Sequence, residues 1–191
     1  MQVGEEQLGS TDQELVKQCL TGNEEAFAEI VGRYKRLIYS VVYNMIGDRE
    51  QSYDISQEAF VRIYKALDRY NPEYKFSTWA VKIATNLCLD ILRKKKPDLV
   101  PIEEVENVSN CFETPETMYM KKERNEKIKK AIAELPDKYR IPIILFHQGG
   151  LSYEEMTKVL GQPVSIVKNR LYRARLMLKN RLMGEYKEGL L

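Results

Sequence analysis

Residues 151–182 read LSYEEMTKVLGQPVSIVKNRLYRARLMLKNRL, and this stretch decides the fold class of the C-terminal half. Ser152, with a glutamate three positions later, is a capping box that predicts a short helix ending at Gly161. Pro163 predicts the first turn of a longer helix that reaches about Met183. A short helix, a tight turn and a longer helix form a helix-turn-helix pattern, which occurs in DNA-binding proteins and in structural helix pairs alike.

The last helix of this stretch is basic on one face. Between Val164 and Met183 the chain has six Lys or Arg residues and no Asp or Glu. A solvated helix ordinarily mixes both signs, so the uncompensated charge indicates a nucleic-acid partner. At 100° per residue the predicted core stripe is Val164, Val167, Leu171, Ala174, Leu178 and Leu182. The opposite face presents Ser165, Lys168, Asn169, Tyr172 and Arg173.

The remaining sequence is also helical in pattern, without alternating runs of β-branched residues between hairpin turns. We therefore predict an all-α fold. The first predicted helix is capped by Asn23 and runs to Ile46, where Gly47 stops it, and the second is capped by Asp48 and runs from about Glu50 to Leu67. Further helices are predicted from a Ser77 cap to Lys96, from Glu116 to Glu134, and onward from Pro136.

An acidic segment divides the chain into two parts. Residues 97–116 contain three prolines and six acidic residues, with no Lys or Arg, and they predict an extended linker. The linker would join a helical domain at residues 1–96 to a second at residues 117–186, followed by a tail at 187–191.

Two features of the first domain favour single-stranded nucleic acid. Tyr70, Tyr74 and Phe76 lie beside cations in the loop before the Ser77 helix, and aromatic rings interleaved with cations stack bases. Anchoring of the loop to the core explains these rings equally well. The polar stripe of the following helix consists of Thr78, Lys82, Thr85, Asn86, Leu89 and Arg93.

A further stripe lies on the helix between Asp48 and Leu67. Its carboxylates could pair with arginines of a partner helix, although physical chemistry alone favours an ordinary solvated surface. The stripe consists of Asp54, Gln57, Glu58, Val61 and Lys65.

Composition excludes several classes of protein. No apolar run approaches twenty residues and the N-terminus lacks signal-peptide character, so we expect a cytoplasmic protein. Cys19, Cys88 and Cys111 are odd in number and widely spaced, which indicates buried thiols. With His147 as the single histidine and no phosphate-cradling glycine loop, we expect neither an enzyme nor a bound cofactor or metal.

Six short motifs occur in a fixed order along the chain. Three lie before the acidic segment, at residues 54–60 (DISQEAF), 76–79 (FSTW) and 83–86 (IATN), and three lie after it, at residues 135–140 (LPDKYR), 151–155 (LSYEE) and 163–171 (PVSIVKNRL). In order and spacing they resemble regions 2 and 4 of extracytoplasmic-function (ECF) sigma factors, the small members of the sigma-70 family. The family commonly has Gly-Thr where this chain has Ser165-Ile166, and Ser where it has Asn169, so promoter preferences do not transfer base by base.

This resemblance implies a transcription initiation factor that directs RNA polymerase to promoters in response to envelope or stress signals. The stripe that begins at Asp54 would dock on the polymerase beta-prime coiled coil, and the C-terminal domain on the beta flap. The protein would act as a monomer, and an anti-sigma factor would hold it inactive. Minus-10 contacts would come from Tyr70, Tyr74, Lys75, Phe76, Thr78, Lys82, Thr85, Asn86 and Arg93. Minus-35 contacts would come from Ser152, Tyr153, Ser165, Lys168, Asn169, Tyr172 and Arg173.

The alternative is a dimeric helix-turn-helix regulator that binds duplex DNA through the C-terminal domain. Such a dimer needs a symmetric operator with half-sites about one helical turn apart. It leaves the aromatic loop and the polar stripe beside it without a role.

Overall fold

The computed structural model describes residues 10–95 and 127–188, which are helices joined by short turns. No strand occurs within these ranges, and the all-α prediction is confirmed. The predicted linker, the tail from residue 189 and most of the predicted helix from Glu116 lie outside the described residues. The helices are α1 (Asp12–Leu20), α2 (Glu24–Ile46), α3 (Arg49–Lys65), a 3-10 turn (Leu67–Arg69), α4 (Phe76–Lys95), α5 (127–133), α6 (Asp137–His147), α7 (Tyr153–Leu160) and α8 (Val164–Glu188).

The predicted caps define most helix ends. Asn23 accepts bonds from two backbone amides at the start of α2, and Asp48 accepts one at the start of α3. Ser152 forms the complete capping box with Glu155 that the sequence predicted for α7. Gly161 ends α7 at a φ of +64°, a left-handed conformation that strains any residue with a Cβ.

Two boundaries differ from their predictions. Helix α4 begins at Phe76, where the amide of Trp79 donates to the Lys75 carbonyl at 3.2 Å. Ser77 therefore lies in the first turn and is not the cap. Helix α8 continues to Glu188, beyond the predicted end near Met183.

Helix α1 was not predicted. Thr11 and Glu14 form a capping box at its start, which was the available signal. The helix is only nine residues long, so tertiary contact must stabilise it. Leu15, Val16 and Cys19 are buried as α1 packs against α2.

The two halves of the molecule share one hydrophobic core. In the N-terminal half α2, α3 and α4 pack together, and in the C-terminal half α6 and α7 pack on α8. Helix α6 also contacts α2, and α7 contacts α4, so buried residues continue from one half into the other. Within the described ranges no helix is long and apolar enough to cross a membrane.

Candidate polymerase and nucleic-acid interfaces

The α3 stripe faces solvent along its whole length. Asp54, Gln57, Glu58, Val61 and Lys65 are all exposed, and the apolar side chain of Val61 is 46% exposed. These residues share one face because the opposite side of α3, at helical spacing, is buried against α2 and α4. The structure therefore brings the five predicted polymerase-binding residues together on an open surface.

An apolar groove lies beside this stripe and was not predicted. It has a volume of about 460 Å³ and runs between α2 and α3. Tyr39, Tyr53 and Phe60 line it together with Gln57, so it adjoins the stripe. Tyr53 is 60% exposed, and exposed aromatic rings are enriched in protein interfaces.

The aromatic loop presents one of its three rings. Tyr74 is 59% exposed, whereas Phe76 is 1% exposed. The ring of Phe76 packs against Tyr34, Tyr70 and Trp79, at centroid distances of 5.2 to 5.4 Å. In this arrangement the ring of Phe76 belongs to the core that supports the loop, and its contact with minus-10 DNA stays a prediction.

Hydrogen bonds hold this loop in place. Half-buried Tyr70 donates its hydroxyl to the Tyr74 carbonyl at 2.6 Å. Gln13 of α1 donates its amide to the Pro72 carbonyl at 2.9 Å. An open pocket of about 500 Å³ lies between the loop and the start of α1, with exposed Lys75 among its lining residues. A flat base could enter a pocket of this size, whose walls combine aromatic rings and Lys75 with the carboxylates of Asp12 and Glu73.

The predicted DNA-reading stripe of α4 is largely buried. Thr78, Thr85 and Leu89 are 7%, 0% and 8% exposed, so their side chains cannot reach DNA in this arrangement. Leu89 lines a groove together with Ile141 and Leu160 of the C-terminal half. Contact of these three residues with DNA stays a prediction, and it requires that their side chains be uncovered first.

The remaining stripe residues differ in accessibility. Asn86 and Arg93 are exposed. Lys82 is half-buried and forms an ion pair with Glu155 at 2.7 Å. Burial raises the pKa of Glu155, but the bonds from Lys82 and Ser152 outweigh it and lower that pKa below its ordinary value.

The helix-turn-helix brings the predicted minus-35 residues to one surface. Ser165 and Lys168 of α8 are exposed, and Asn169, Tyr172 and Arg173 are half-buried beside them. At the start of α7, Ser152 is exposed and Tyr153 is half-buried. The Lys168 ammonium lies 5.6 Å from the centre of the Tyr153 ring, so the two helices present one continuous cationic and aromatic face.

The core face of α8 follows the predicted stripe except at its start. Val167, Leu171 and Ala174 are at most 1% exposed, whereas Val164 is 40% exposed. Val164 is the first residue of α8, and the buried stripe begins one turn later at Val167.

Buried thiols were predicted correctly at two positions. Cys19 and Cys88 are free and buried, and Cys111 lies outside the described residues. Burial raises the pKa of the Cys88 thiol to about 12, so it stays protonated at neutral pH.

Comparison with known proteins identifies the family. Residues 30–97 match sigma-70 region 2, and residues 125–178 match sigma-70 region 4. The ECF RNA polymerase sigma factor SigW of Bacillus subtilis (strain 168) is 39% identical, over 87% of this chain and 94% of that protein. The ECF RNA polymerase sigma-E factor of Escherichia coli (strain K12) is 32% identical, over 90% of this chain and 94% of that protein.

A solved structure agrees with the fold. The sigma factor RpoE from Bartonella quintana, in complex with the anti-sigma factor NepR, superposes with a TM-score of 0.59 at 21% identity, covering 82% of this chain and 96% of that one. At this identity the likeness shows the fold alone. The two regional matches and the curated relatives together establish that this chain belongs to the sigma-70 family, in its extracytoplasmic-function branch.

Proposed function

We propose that this protein is a transcription initiation factor that binds core RNA polymerase and directs it to a specific set of promoters. The structural observation that carries the proposal is the α3 stripe, in which Asp54 and Glu58 are exposed on one face. These carboxylates can pair with arginines of a partner helix. An apolar groove lined by aromatic rings adjoins the stripe, and such a groove is typical of a binding surface rather than of a surface that only faces water.

The DNA-binding roles divide between the two halves. The face of α8 that carries Lys168 and Asn169 would enter the major groove at the minus-35 element, since Lys donates to guanine and Asn bonds adenine in two places. Tyr74 and Lys75 would hold an unstacked base of the minus-10 element. Asn86 and Arg93 would contact the neighbouring phosphates from the exposed part of α4.

Other properties are proposed from the family. The protein would act as a monomer in the cytoplasm, bind the beta flap through its C-terminal half, and respond to an envelope or stress signal. An anti-sigma factor would hold it inactive, and the similar RpoE of Bartonella quintana was solved with such a partner. The protein would perform no catalysis of its own, because polymerase carries out the chemistry.

Run-off transcription tests this proposal. Bacterial core polymerase would be incubated with genomic promoter fragments from the source organism, with and without the protein. We expect new discrete transcripts that depend on it, and at least a tenfold loss of them in the double variant Asp54→Lys, Glu58→Lys. The control variant Glu24→Lys, Glu25→Lys changes the net charge equally at exposed positions away from the stripe. Its transcripts should stay near the wild-type level.

The dimeric regulator remains the alternative for this experiment. If core polymerase gains no start site while the protein alone shifts specific duplex DNA as a dimer, the sigma function is refuted. Equal loss of transcripts in both double variants would refute docking through the α3 stripe.

A further inference from the structure

Part of the α4 face that is predicted to contact promoter DNA is covered by the protein's own C-terminal half, while Asn86 and Arg93 on that face stay exposed. Lys82 and Leu89, two turns apart on this face, approach Glu155 and Leu160 of α7. Thr85 lies between them and is fully buried. This part of α4 cannot contact the C-terminal half and DNA at the same time.

Polar contacts join the two halves at separate points. The amide of Asn44 on α2 donates to the Gln148 side chain at 2.8 Å, and the Arg140 guanidinium of α6 donates to the Met45 carbonyl at 2.9 Å. The third contact is the Lys82–Glu155 ion pair, in which the two side chains are 29% and 20% exposed. Of these three contacts, the ion pair is the one that involves a predicted DNA-binding residue, Lys82.

Close packing reinforces these contacts. Gly149 follows α6 at the point where the C-terminal half meets α4. A Cβ at this position would lie 3.0 Å from Val81 Cγ1 and 2.7 Å from the Leu145 carbonyl oxygen. The Leu145 oxygen belongs to the same half as Gly149, and the contact with Val81 is the one that a larger side chain would tighten between the halves.

The covered face also contains a polar atom that is poorly satisfied. The Thr85 hydroxyl is buried without a hydrogen-bond partner among the described residues. A buried polar group left unpaired disfavours the state that buries it. Burial of this hydroxyl therefore works against the closed arrangement.

The α3 stripe, by contrast, stays open in this closed arrangement. Asp54 and Glu58 are exposed while Thr85 is fully buried. Polymerase could therefore dock on the closed molecule, whereas DNA requires the two halves to separate.

We infer that the Lys82–Glu155 ion pair is part of an autoinhibitory latch that keeps the minus-10 face of α4 covered until the halves separate. The DNA side of this inference rests on the proposed function. While the latch is closed, Glu155 neutralises Lys82 and α7 blocks its access to phosphate. Opening frees Lys82 for DNA and exposes the Thr85 hydroxyl.

The latch predicts a measurable gain in DNA binding when it is weakened. Apparent affinity equals intrinsic affinity multiplied by the open fraction, so a shift of the equilibrium towards opening raises affinity by the same factor. Glu155→Gln removes the charge but keeps an amide oxygen for the capping box, so α7 should still fold. Glu154→Gln is the matched control, because Glu154 is exposed on the same turn and has the same charge.

The experiment uses the free full-length protein in two measurements. Fluorescence anisotropy with a labelled pool of random single-stranded 12-mers gives DNA affinity, and small-angle X-ray scattering gives the radius of gyration. We expect Glu155→Gln to bind DNA about two- to fivefold more tightly than Glu154→Gln and to have the larger radius. Asn44→Ala weakens a contact away from the proposed DNA residues and should shift both quantities in the same direction.

Two results would overturn the latch. One is equal DNA affinity of Glu155→Gln and Glu154→Gln, which would assign any gain to charge alone. The other is a wild-type radius of gyration that equals that of both latch variants, which would mean that no closed state is populated. The scattering measurement involves neither polymerase nor DNA, so it tests the closed state even if the sigma function fails.

Discussion

Replacing Arg140 by alanine should weaken both the C-terminal half and its attachment to the N-terminal half. The guanidinium donates to the Met45 carbonyl at 2.9 Å and to the Ala133 carbonyl at 3.2 Å, and it pairs with Asp137 at 2.8 Å. Its side chain is only 16% exposed. One residue thus connects α6 to the end of α5 and to α2.

The expected loss can be estimated from these contacts. A hydrogen bond to a charged group contributes about 1.5–3 kcal/mol, so the contacts to Met45 and Asp137 sum to about 3–6 kcal/mol. The alanine variant avoids ordering a long side chain, which offsets about 2 kcal/mol. We therefore expect Arg140→Ala to lower the free energy of unfolding by about 1–4 kcal/mol.

Urea denaturation followed by circular dichroism at 222 nm measures this loss. Lys138→Ala is the control, because Lys138 lies on the same turn with an exposed side chain. This variant should change the free energy of unfolding by less than about 0.5 kcal/mol. We also expect Arg140→Ala to broaden the transition, since the two halves would unfold less cooperatively. A loss no larger than that of Lys138→Ala would refute the contacts assigned to Arg140.

Four further predictions follow from single features. Gly149→Ala should lower the free energy of unfolding by about 1–3 kcal/mol through overpacking. Gly32 lies in open space within α2, so Gly32→Ala should raise the free energy of unfolding by about 0.5–1 kcal/mol, and thermal melts of the two variants measure the difference. Iodoacetamide at pH 8 should leave Cys88 unmodified in the native protein and label it in guanidinium, as read by mass spectrometry, because burial raises its pKa to about 12. Lys168→Ala should weaken binding of the reconstituted holoenzyme to its preferred minus-35 duplex by about 1–3 kcal/mol and relax specificity at one base pair, because this lysine is proposed to donate to guanine; competition with single-base variants of the duplex measures it. Folding lowers the pKa of Glu155, so the stability that this carboxylate contributes is present above its unfolded pKa of about 4.3 and is lost as pH falls through the folded value. Glu155→Gln should therefore remove this part of the acid dependence of the melting temperature. A melting profile against pH that is the same in the variant and the wild type would contradict this prediction.

Local signals in the sequence were sufficient for much of the fold. Caps at Asn23, Asp48 and Ser152 defined helix starts, because a side-chain oxygen there satisfies amides of the first turn. Helical periodicity located the exposed stripe of α3 and the basic face of α8. These features depend on neighbours within about four residues along the chain.

Features that depend on tertiary packing were missed. The polar stripe of α4 was predicted to face a partner, and the sequence contains no local sign that Thr85 is fully buried. Phe76 was an open alternative between base stacking and the core, and only the positions of Tyr34 and Trp79 decide it. Helix α1 is too short for periodicity to reveal it, and its capping box was overlooked.

Helix α1 also bears on how a fragment of this protein should be prepared. A fragment that begins at residue 30, where the family match starts, would lack the nine-residue α1. Its removal would uncover the apolar surface of α2 on which Leu15 and Val16 rest, and it would take away the Gln13 bond to the loop at Pro72. Exposed apolar patches promote aggregation, so such a fragment should express poorly or precipitate. A soluble N-terminal fragment of this chain should begin at or before Ser10.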